Sequence, residues 1–224
     1  LEATRLPRKL RLSYTVKPLL QHTWESAFCA ASLTDLIIAA DSAEIVAAAQ
    51  SFGARCEMTG EHASGTDRIA EVARRSLPDA DIIVNIQGDE PQIDPAQIDL
   101  LVHTLSNTAN AKMATLASPI CDEKTLRDPS CVKVVCGQNG RALYFSRCPI
   151  PFSRDEDAGQ LMQRESPWLM HIGVYAYRAE FLQTMSQSPM SKLEQLERLE
   201  QLRALELGAE IQTAIVDAHA PGID

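Results

Sequence analysis

Five residues, Gln87-Gly88-Asp89-Glu90-Pro91, follow directly on the apolar stretch Ile82-Ile83-Val84-Asn85-Ile86. Two adjacent carboxylates behind a strand stand at the rim of a sheet. A hard cation such as Mg2+ needs only one or two carboxylates there, because it takes its other ligands from water and phosphate. Taken alone, the same five residues are equally well a polar turn closed by Pro91. Asp224, in the terminal Gly222-Ile223-Asp224, is a second acid in a strand-end loop, and two acids from separate loops could clamp one metal.

Other residues suit anionic and hydroxylated ligands. Thr4-Arg5-Leu6-Pro7-Arg8-Lys9 places three cations within five residues, enough to wrap a triphosphate and neutralise charge building up in phosphoryl transfer. The plainer account of that run is a solvated basic segment. Ser64-Gly65-Thr66-Asp67-Arg68 opens a helix whose free N–H groups can hold an anion or a base edge, with Gly65 allowing close approach. An ordinary N-cap explains it as well. Arg147 could fork a carboxylate, and His171 and Tyr175 could hydrogen-bond hydroxyls. Singly, each is as readily a salt bridge, a satisfied histidine or a packed tyrosine. A helix expected over 192–207 carries Leu193, Leu196, Leu199, Leu202 and Leu205 at intervals of three. That stripe drifts around the helix, so it reads as core or interface packing rather than a coiled coil. Glu200 and Gln201 lie off the row and could reach a ligand.

The elements that must position these residues alternate from residue 34 onward. Leu36-Ile37-Ile38-Ala39 is a short strand, and 42–52 a helix opened by an Asp41-x-x-Glu44 capping box and stopped at Gly53. Residues 54–58 suit a strand and 66–75 a helix with Ile69, Val72 and Ala73 on one face. Residues 81–86 are the clearest strand. A helix bearing Ile98, Leu101, Val102 and Leu105 follows Asp94-Pro95, and 113–117 returns as a strand. Residues 132–136 and 142–146 flank Gly137-Gln138-Asn139-Gly140 as a hairpin. Strands at 171–177 and 211–216 complete the series. Such alternation implies an α/β fold with a mainly parallel sheet and helices on both faces, where ligands bind beyond the carboxyl ends of the strands. Residues 149–168, with Pro149, Pro151 and Pro167 and no periodicity, read as a loop or a dimerisation arm.

Composition narrows the class. The 224 residues carry 21 Lys+Arg against 30 Asp+Glu, a net charge of −9, with 45% hydrophobic and 23% charged residues. Disorder and collagen are excluded, one α/β domain fits the length, and the acidic balance argues against a nucleic-acid-coating protein. No apolar run is long enough to span a bilayer. The six cysteines, at 29, 56, 121, 131, 136 and 148, form no C-x-x-C pair, so they read as reduced core residues of a cytoplasmic protein. The start at Leu1 and stop at Asp224 read as a domain trimmed of a first strand and a last helix.

In order along almost the whole chain, eight segments resemble the 3-deoxy-manno-octulosonate cytidylyltransferases, or CMP-Kdo synthetases. They are residues 4–9, 64–68, 85–91, Lys133-Val134-Val135, Ala142-Leu143-Tyr144-Phe145-Ser146-Arg147, 171–178, Leu199-Glu200-Gln201-Leu202-Arg203 and 221–224. The resemblance implies a three-layer, mainly parallel mixed sheet of the nucleotide-diphospho-sugar transferase type. It implies transfer of CMP from CTP to the anomeric hydroxyl of 3-deoxy-manno-octulosonate (Kdo), with Mg2+, for lipopolysaccharide synthesis, in a cytoplasmic homodimer. Carried over by motif, Arg5 and Lys9 would stabilise the α-phosphate, and Ser64, Gly65 and Arg68 would lie in the CTP pocket. Asp89 and Asp224 would hold Mg2+, with Asp89, Arg5 and Lys9 the catalytic set. Gln87, Arg147, His171, Tyr175, Glu200 and Gln201 would bind Kdo, Arg147 through its carboxylate. The family pattern differs at Ala3, usually Ser, at Arg8, usually small, and at Val16-Lys17-Pro18, usually Gly-Lys-Pro. A related acidic sugar, or a catalytically impaired homologue, stands as the alternative.

Overall fold

The computed structural model describes residues 17–62, 64–91, 93–164 and 166–217. Its first helix, α1 (Leu19–Phe28), is absent from the alternation read from the sequence. Pro18 precedes it in extended conformation and no side chain caps it, so the usual Ser/Asp start signal is missing. Strand β1 (Ile38–Ala40) leads to α2 (Ala43–Ser51), and here the expected capping box is corrected. Ser42, not Asp41, accepts the Ile45 N–H, which frees Asp41 to pair with Arg68 at 2.5 Å. Strand β2 (Cys56–Met58) pairs parallel with β1 as a small sheet of its own.

Helix α3 (Gly65–Ser76) starts where Ser64 accepts the Asp67 N–H. Strand β3 (Ile82–Asn85) and α4 (Pro95–Asn107) follow, α4 capped by Asp94 with Pro at its first position. Next come β4 (Ala111–Pro119), α5 (Glu123–Arg127) and the antiparallel hairpin β5 (Lys133–Cys136) and β6 (Ala142–Ser146). Gly140 turns that hairpin at φ +77, where a Cβ would meet the Gln212 amide at 2.7 Å. Helix α6 (Ala158–Arg164), β7 (Leu169–Arg178), α7 (Ala179–Gln187), α8 (Lys192–Glu197), α9 (Gln201–Glu206) and β8 (Glu210–Ile215) complete the described chain.

The main sheet runs β6-β5-β7-β4-β8, and β3 also pairs with β7. Strands β3, β4, β5 and β8 share one direction, and β7 and β6 oppose it. Most strands therefore point one way, as expected, yet their ladders are mostly antiparallel because β7 is inserted between β4 on one side and β3 and β5 on the other. Alternation along β7 separates the two helical layers. Ile172, Val174 and Ala176 face α4 and α1, where Ile98, Leu101 and Leu105 are fully buried. Each of those three contributes roughly 1.5–3 kcal/mol relative to exposure. Tyr177 on the opposite face packs with Ala70 and Ala73 of α3, Leu182 of α7 and Leu202 of α9.

Strand β7 is covered unevenly. Strand β4 follows it from Leu169 to Tyr177, but its other edge is taken by β5 at Leu169 and Met170 and by β3 from Tyr175 to Arg178. Between those partners the edge around Gly173 carries no strand of the described residues, and Gly173 is exposed. A separate groove of about 460 Å3 lies between β1 and β3, lined by Ile37, Ala39, Ile82 and Val84 among others.

The single helix expected over 192–207 is two. A full capping box at Ser191 and Glu194 opens α8, which ends at Arg198 in left-handed conformation, φ 55. The buried Glu194 carboxylate receives the Arg203 guanidinium in two hydrogen bonds of 2.8 and 2.6 Å, drawing α9 back onto α8. Arg203 also donates to the Met185 and Ser188 carbonyls. Leu199 and Leu202 thereby enter the core while Leu196 is left 81% exposed. The segment 149–168 is likewise more ordered than a loop. It contains α6, and buried Trp168 donates to the Pro151 carbonyl and packs with Ile120 and Leu126. The cysteines are all free; Cys29, Cys121 and Cys148 are exposed rather than core residues, and of the three half-buried ones Cys136 packs against the main core.

Removing one partner of the buried pair should be costly. Glu194→Ala would strand the Arg203 charge in the core at about 3–5 kcal/mol, seen as a lower urea midpoint with unchanged slope. An unchanged midpoint would show that the pair does not hold the helix break.

Candidate active site

The carboxyl end of β3, the N-terminus of α3 and the break between α8 and α9 converge on the uncovered edge of β7. Two cavities meet there. The larger, about 530 Å3, is lined by Thr66, Gln87, Arg147, His171, Gly173, Tyr175, Glu200 and Gln201 among others. The smaller, about 250 Å3, is lined by Trp24, Ile38, Asp41, Arg68 and Asp89 among others. Gly65, Asn85 and Gln87 border both cavities. A Cβ built on Gly65 meets no atom within 4 Å, so the start of α3 is open to a ligand from either side.

The loop after β3 is pinned from behind. Thr23 Oγ1 of α1 donates to the Gly88 carbonyl at 3.0 Å and Ser26 Oγ to the Ile93 carbonyl at 2.5 Å, while Glu90 N–H closes on Gln87 O. Helix α1, unseen in the sequence, therefore fixes the segment carrying Asp89. Among the described residues no cluster of three or more His, Cys, Asp or Glu side chains could form a metal cage. Asp89 lies on this loop and lines the smaller cavity. Asp224, Arg5 and Lys9 lie outside the described residues.

Arg68 stands in the smaller cavity, its guanidinium against Asp41 and its buried Nε without a hydrogen-bond partner among the described residues. Ser64 lines neither cavity. Its hydroxyl is spent capping α3 by accepting the Asp67 N–H at 3.2 Å.

In the larger cavity, Arg147 is held by three backbone carbonyls. Its Nε donates to Glu197 O at 2.7 Å, one terminal nitrogen to Pro129 O at 2.8 Å and the other to Arg198 O at 3.4 Å. Of five guanidinium N–H groups, one on each terminal nitrogen remains for a ligand. The Glu197 carboxylate accepts from Ser146 Oγ and from the Arg147 N–H, tying the end of β6 to α8.

The opposite wall is an aromatic row along β7, begun by Phe145 of β6: Phe145 against His171 edge-on at 5.0 Å, His171 to Tyr175 at 5.4 Å, and Tyr175 to Tyr177 at 5.9 Å. His171 shares a hydrogen bond with Thr115 Oγ1 at 3.0 Å. Its ring faces the cavity rather than bulk water, and this burial lowers its pKa to about 3, so the imidazole is neutral near pH 7. Burial raises the Tyr175 phenol well above its usual range, with Tyr177 and Glu200 adding to the effect. Glu200 accepts from Thr66 Oγ1 at 2.5 Å; burial raises its carboxyl pKa and the Thr66 bond opposes the rise. The buried Gln201 amide nitrogen has no hydrogen-bond partner among the described residues. The wall thus offers hydrogen-bond donors and acceptors that can meet hydroxyls, and the Arg147 guanidinium can fork a carboxylate.

Thr66, Asn85, Gly173 and Arg198 also line the larger cavity but were not singled out from sequence. Thr66 and Asn85 sit inside segments already quoted, and their place at the strand and helix ends is the signal that could have found them. Arg198 had no such signal, because it reaches the cavity only through the unforeseen helix break. No helix of the described residues is long and apolar enough to cross a membrane.

The comparisons with known proteins agree. The cytidylyltransferase family profile matches residues 1–211. A 3-deoxy-manno-octulosonate cytidylyltransferase from Solibacter usitatus is 48% identical over 99% of this chain and 85% of its own length. An 8-amino-3,8-dideoxy-manno-octulosonate cytidylyltransferase from Shewanella pealeana is 45% identical over 99% of this chain and 89% of its own. A solved CMP:2-keto-3-deoxy-manno-octonic acid synthetase, complexed with CTP, superposes with a TM-score of 0.90 at 40% identity, covering 99% of this chain and 88% of that one.

The His171 shift predicts an acid-sensitive site. A histidine whose folded pKa is depressed binds its proton only in the unfolded chain, so stability falls as pH drops from 6.5 toward about 3. In His171→Asn, denaturant midpoints between pH 7 and 4 should fall less steeply than in the wild type. Parallel pH profiles would contradict the buried neutral imidazole.

Proposed function

The chain belongs to the 3-deoxy-manno-octulosonate cytidylyltransferase family, and we propose that it joins CMP from CTP to the anomeric hydroxyl of Kdo, releasing pyrophosphate for lipopolysaccharide synthesis. The observation that carries this reading is the shared border of the two cavities at Gly65, Asn85 and Gln87. A nucleotide in the smaller cavity and an acidic sugar in the larger would meet at that border. The sugar hydroxyl would then stand beside the α-phosphate, within reach of the loop that carries Asp89. Holding the two substrates in line converts a bimolecular reaction into a positioned one, and no covalent intermediate on the protein is required.

In the nucleotide half, Arg68 and the open start of α3 bind and orient, with Arg5 and Lys9 assigned to the phosphates by the family motif. Asp89, with Asp224, would hold Mg2+, which when bound neutralises phosphate charge and aligns the leaving group. In the sugar half, Arg147 offers its two remaining N–H groups to the carboxylate. Gln87, His171, Tyr175, Glu200 and Gln201 hydrogen-bond the hydroxyls. The neutral imidazole of His171 and the raised carboxyl of Glu200 suit uncharged hydroxyl partners. The reading includes a cytoplasmic homodimer, one domain over 1–224 with 149–168 as a loop or its dimerisation arm. The exposed Phe152 on that segment, 87% accessible, supports a contact there.

The test is pyrophosphate release by the full-length protein with CTP, Kdo and Mg2+, run beside the 8-amino sugar. Turnover with Kdo supports the reading, faster turnover with the amino sugar reassigns the acceptor, and none with either refutes it. Asp89→Ala should lower kcat by at least about 10²–10³-fold with an unchanged melting temperature. Full activity in that variant would refute the metal assignment.

A further inference from the structure

Lys133 has no place in either cavity wall, yet it is among the most completely buried side chains of the molecule, at 0% exposure. A lysine is expensive to bury unless its ammonium is hydrogen-bonded. Here Nζ donates to the Asp128 carbonyl at 2.9 Å and the Cys131 carbonyl at 2.5 Å. Both acceptors belong to the loop that joins α5 to β5.

The rest of that loop's backbone is spoken for by residues of the site. The Pro129 carbonyl accepts from Arg147, and the Val132 carbonyl accepts the His171 N–H at 2.8 Å. Within the loop, the Asp128 carboxylate accepts from both the N–H and the hydroxyl of Ser130. Four carbonyls in five consecutive residues are thus turned onto Lys133, Arg147 and His171. The outer side of the same loop, at Ser130, Cys131 and Val132, lines the larger cavity.

Without the ammonium, the Cys131 carbonyl would lose its buried donor and the Asp128 carbonyl would keep only the Cys131 N–H at 3.2 Å, so the loop would turn to satisfy them elsewhere. Because the Pro129 carbonyl lies between them, that movement would also carry off an anchor of the Arg147 guanidinium. We propose that Lys133 is a positioning residue for the acidic sugar: it fixes the 128–132 loop and, through Pro129, the aim of Arg147. The inference rests on the reading of the larger cavity as the sugar half of the site. It adds to that reading a residue that touches neither substrate.

The experiment compares wild type, Lys133→Met, Lys133→Gln, Arg147→Lys and the double variant Lys133→Met/Arg147→Lys in steady-state pyrophosphate release, varying CTP and Kdo separately. Wild-type turnover tests the underlying reading, and the variants measured against it test the inference. Lys133→Met should raise KM for Kdo about tenfold and leave KM for CTP within about twofold. Lys133→Gln keeps an amide that can donate twice, and should recover most of the sugar KM without restoring the charge. The double variant should be less than additive on the sugar KM, because both changes disturb one arrangement. Equal effects on both KM values, an additive double variant, or a fall in melting temperature with normal kinetics would overturn the proposal. If Lys133→Met does not fold, Lys133→Gln carries the test through the part it does not recover: KM for Kdo should stand about two- to threefold above wild type with KM for CTP unchanged, and an equal rise in both KM values, or a rise in neither, would overturn it.

Discussion

A strand of ten residues that is paired along one edge and only at both ends of the other imposes the architecture of this protein. Where β3 stops at Asn85 and β5 begins at Lys133, the backbone of β7 around Gly173 is left without a strand beside it. Strand backbone with no strand beside it must be satisfied by side chains, water or ligand. The surrounding elements make the opening a site rather than a defect. The end of β3 continues into the Gln87–Glu90 loop, the N-terminus of α3 opens toward the gap through Gly65, and the α8–α9 break brings Glu200 and Gln201 across it. Each of these depends on packing elsewhere: α1 braces the loop, Ser64 caps α3, and the Glu194–Arg203 pair folds α9 back.

Electrostatics follow from the same enclosure. A chain with a net charge of −9 is globally unfavourable to a nucleotide and an acidic sugar. The site answers locally, with Arg68 in one half and Arg147 in the other, and with three buried groups of the larger cavity shifted toward their neutral forms. Burial does this to His171, Tyr175 and Glu200 alike, lowering the first and raising the others. On the proposed reading, the Arg147 fork would select an acidic sugar over a neutral one by its carboxylate. The cost of holding that fork in place falls on backbone carbonyls of the 128–132 loop and of the α8–α9 break.

Much of this was legible in the residues. Strand-end runs such as 82–86, the helix cap at Ser64 and the Asp94-Pro95 start are local signals, and the structure places them within a residue or two of where patterning puts them. Gln87, Arg147, His171, Tyr175, Glu200 and Gln201 come together in one cavity although up to 114 positions separate them, from Gln87 to Gln201. What failed was governed by distant contacts. Leucines spaced by three suggest one helix over 192–207, but a buried ion pair and a left-handed Arg198 divide it. Asp41-x-x-Glu44 satisfies a capping-box pattern, yet the neighbouring Ser42 caps the helix and Asp41 is tied to Arg68 instead. The cysteines read as reduced core residues because their scattered spacing suits neither a disulfide framework nor a zinc site, whereas three of them face solvent. Helix α1 has no cap to announce it, and α6 lies in a segment whose prolines suggest none.

The central claim, that the uncovered edge of β7 is where the acidic sugar sits, can be tested at Gly173. A Cβ there would meet no atom within 4 Å, and no positive φ demands glycine, so Gly173→Val should fold as the wild type does. Calorimetric titration of the full-length protein with Kdo in the presence of a nonhydrolysable CTP analogue measures the site directly. The account predicts a sugar affinity lowered by about tenfold or more, with melting temperature and nucleotide binding unchanged. Undiminished sugar binding in that variant would contradict it.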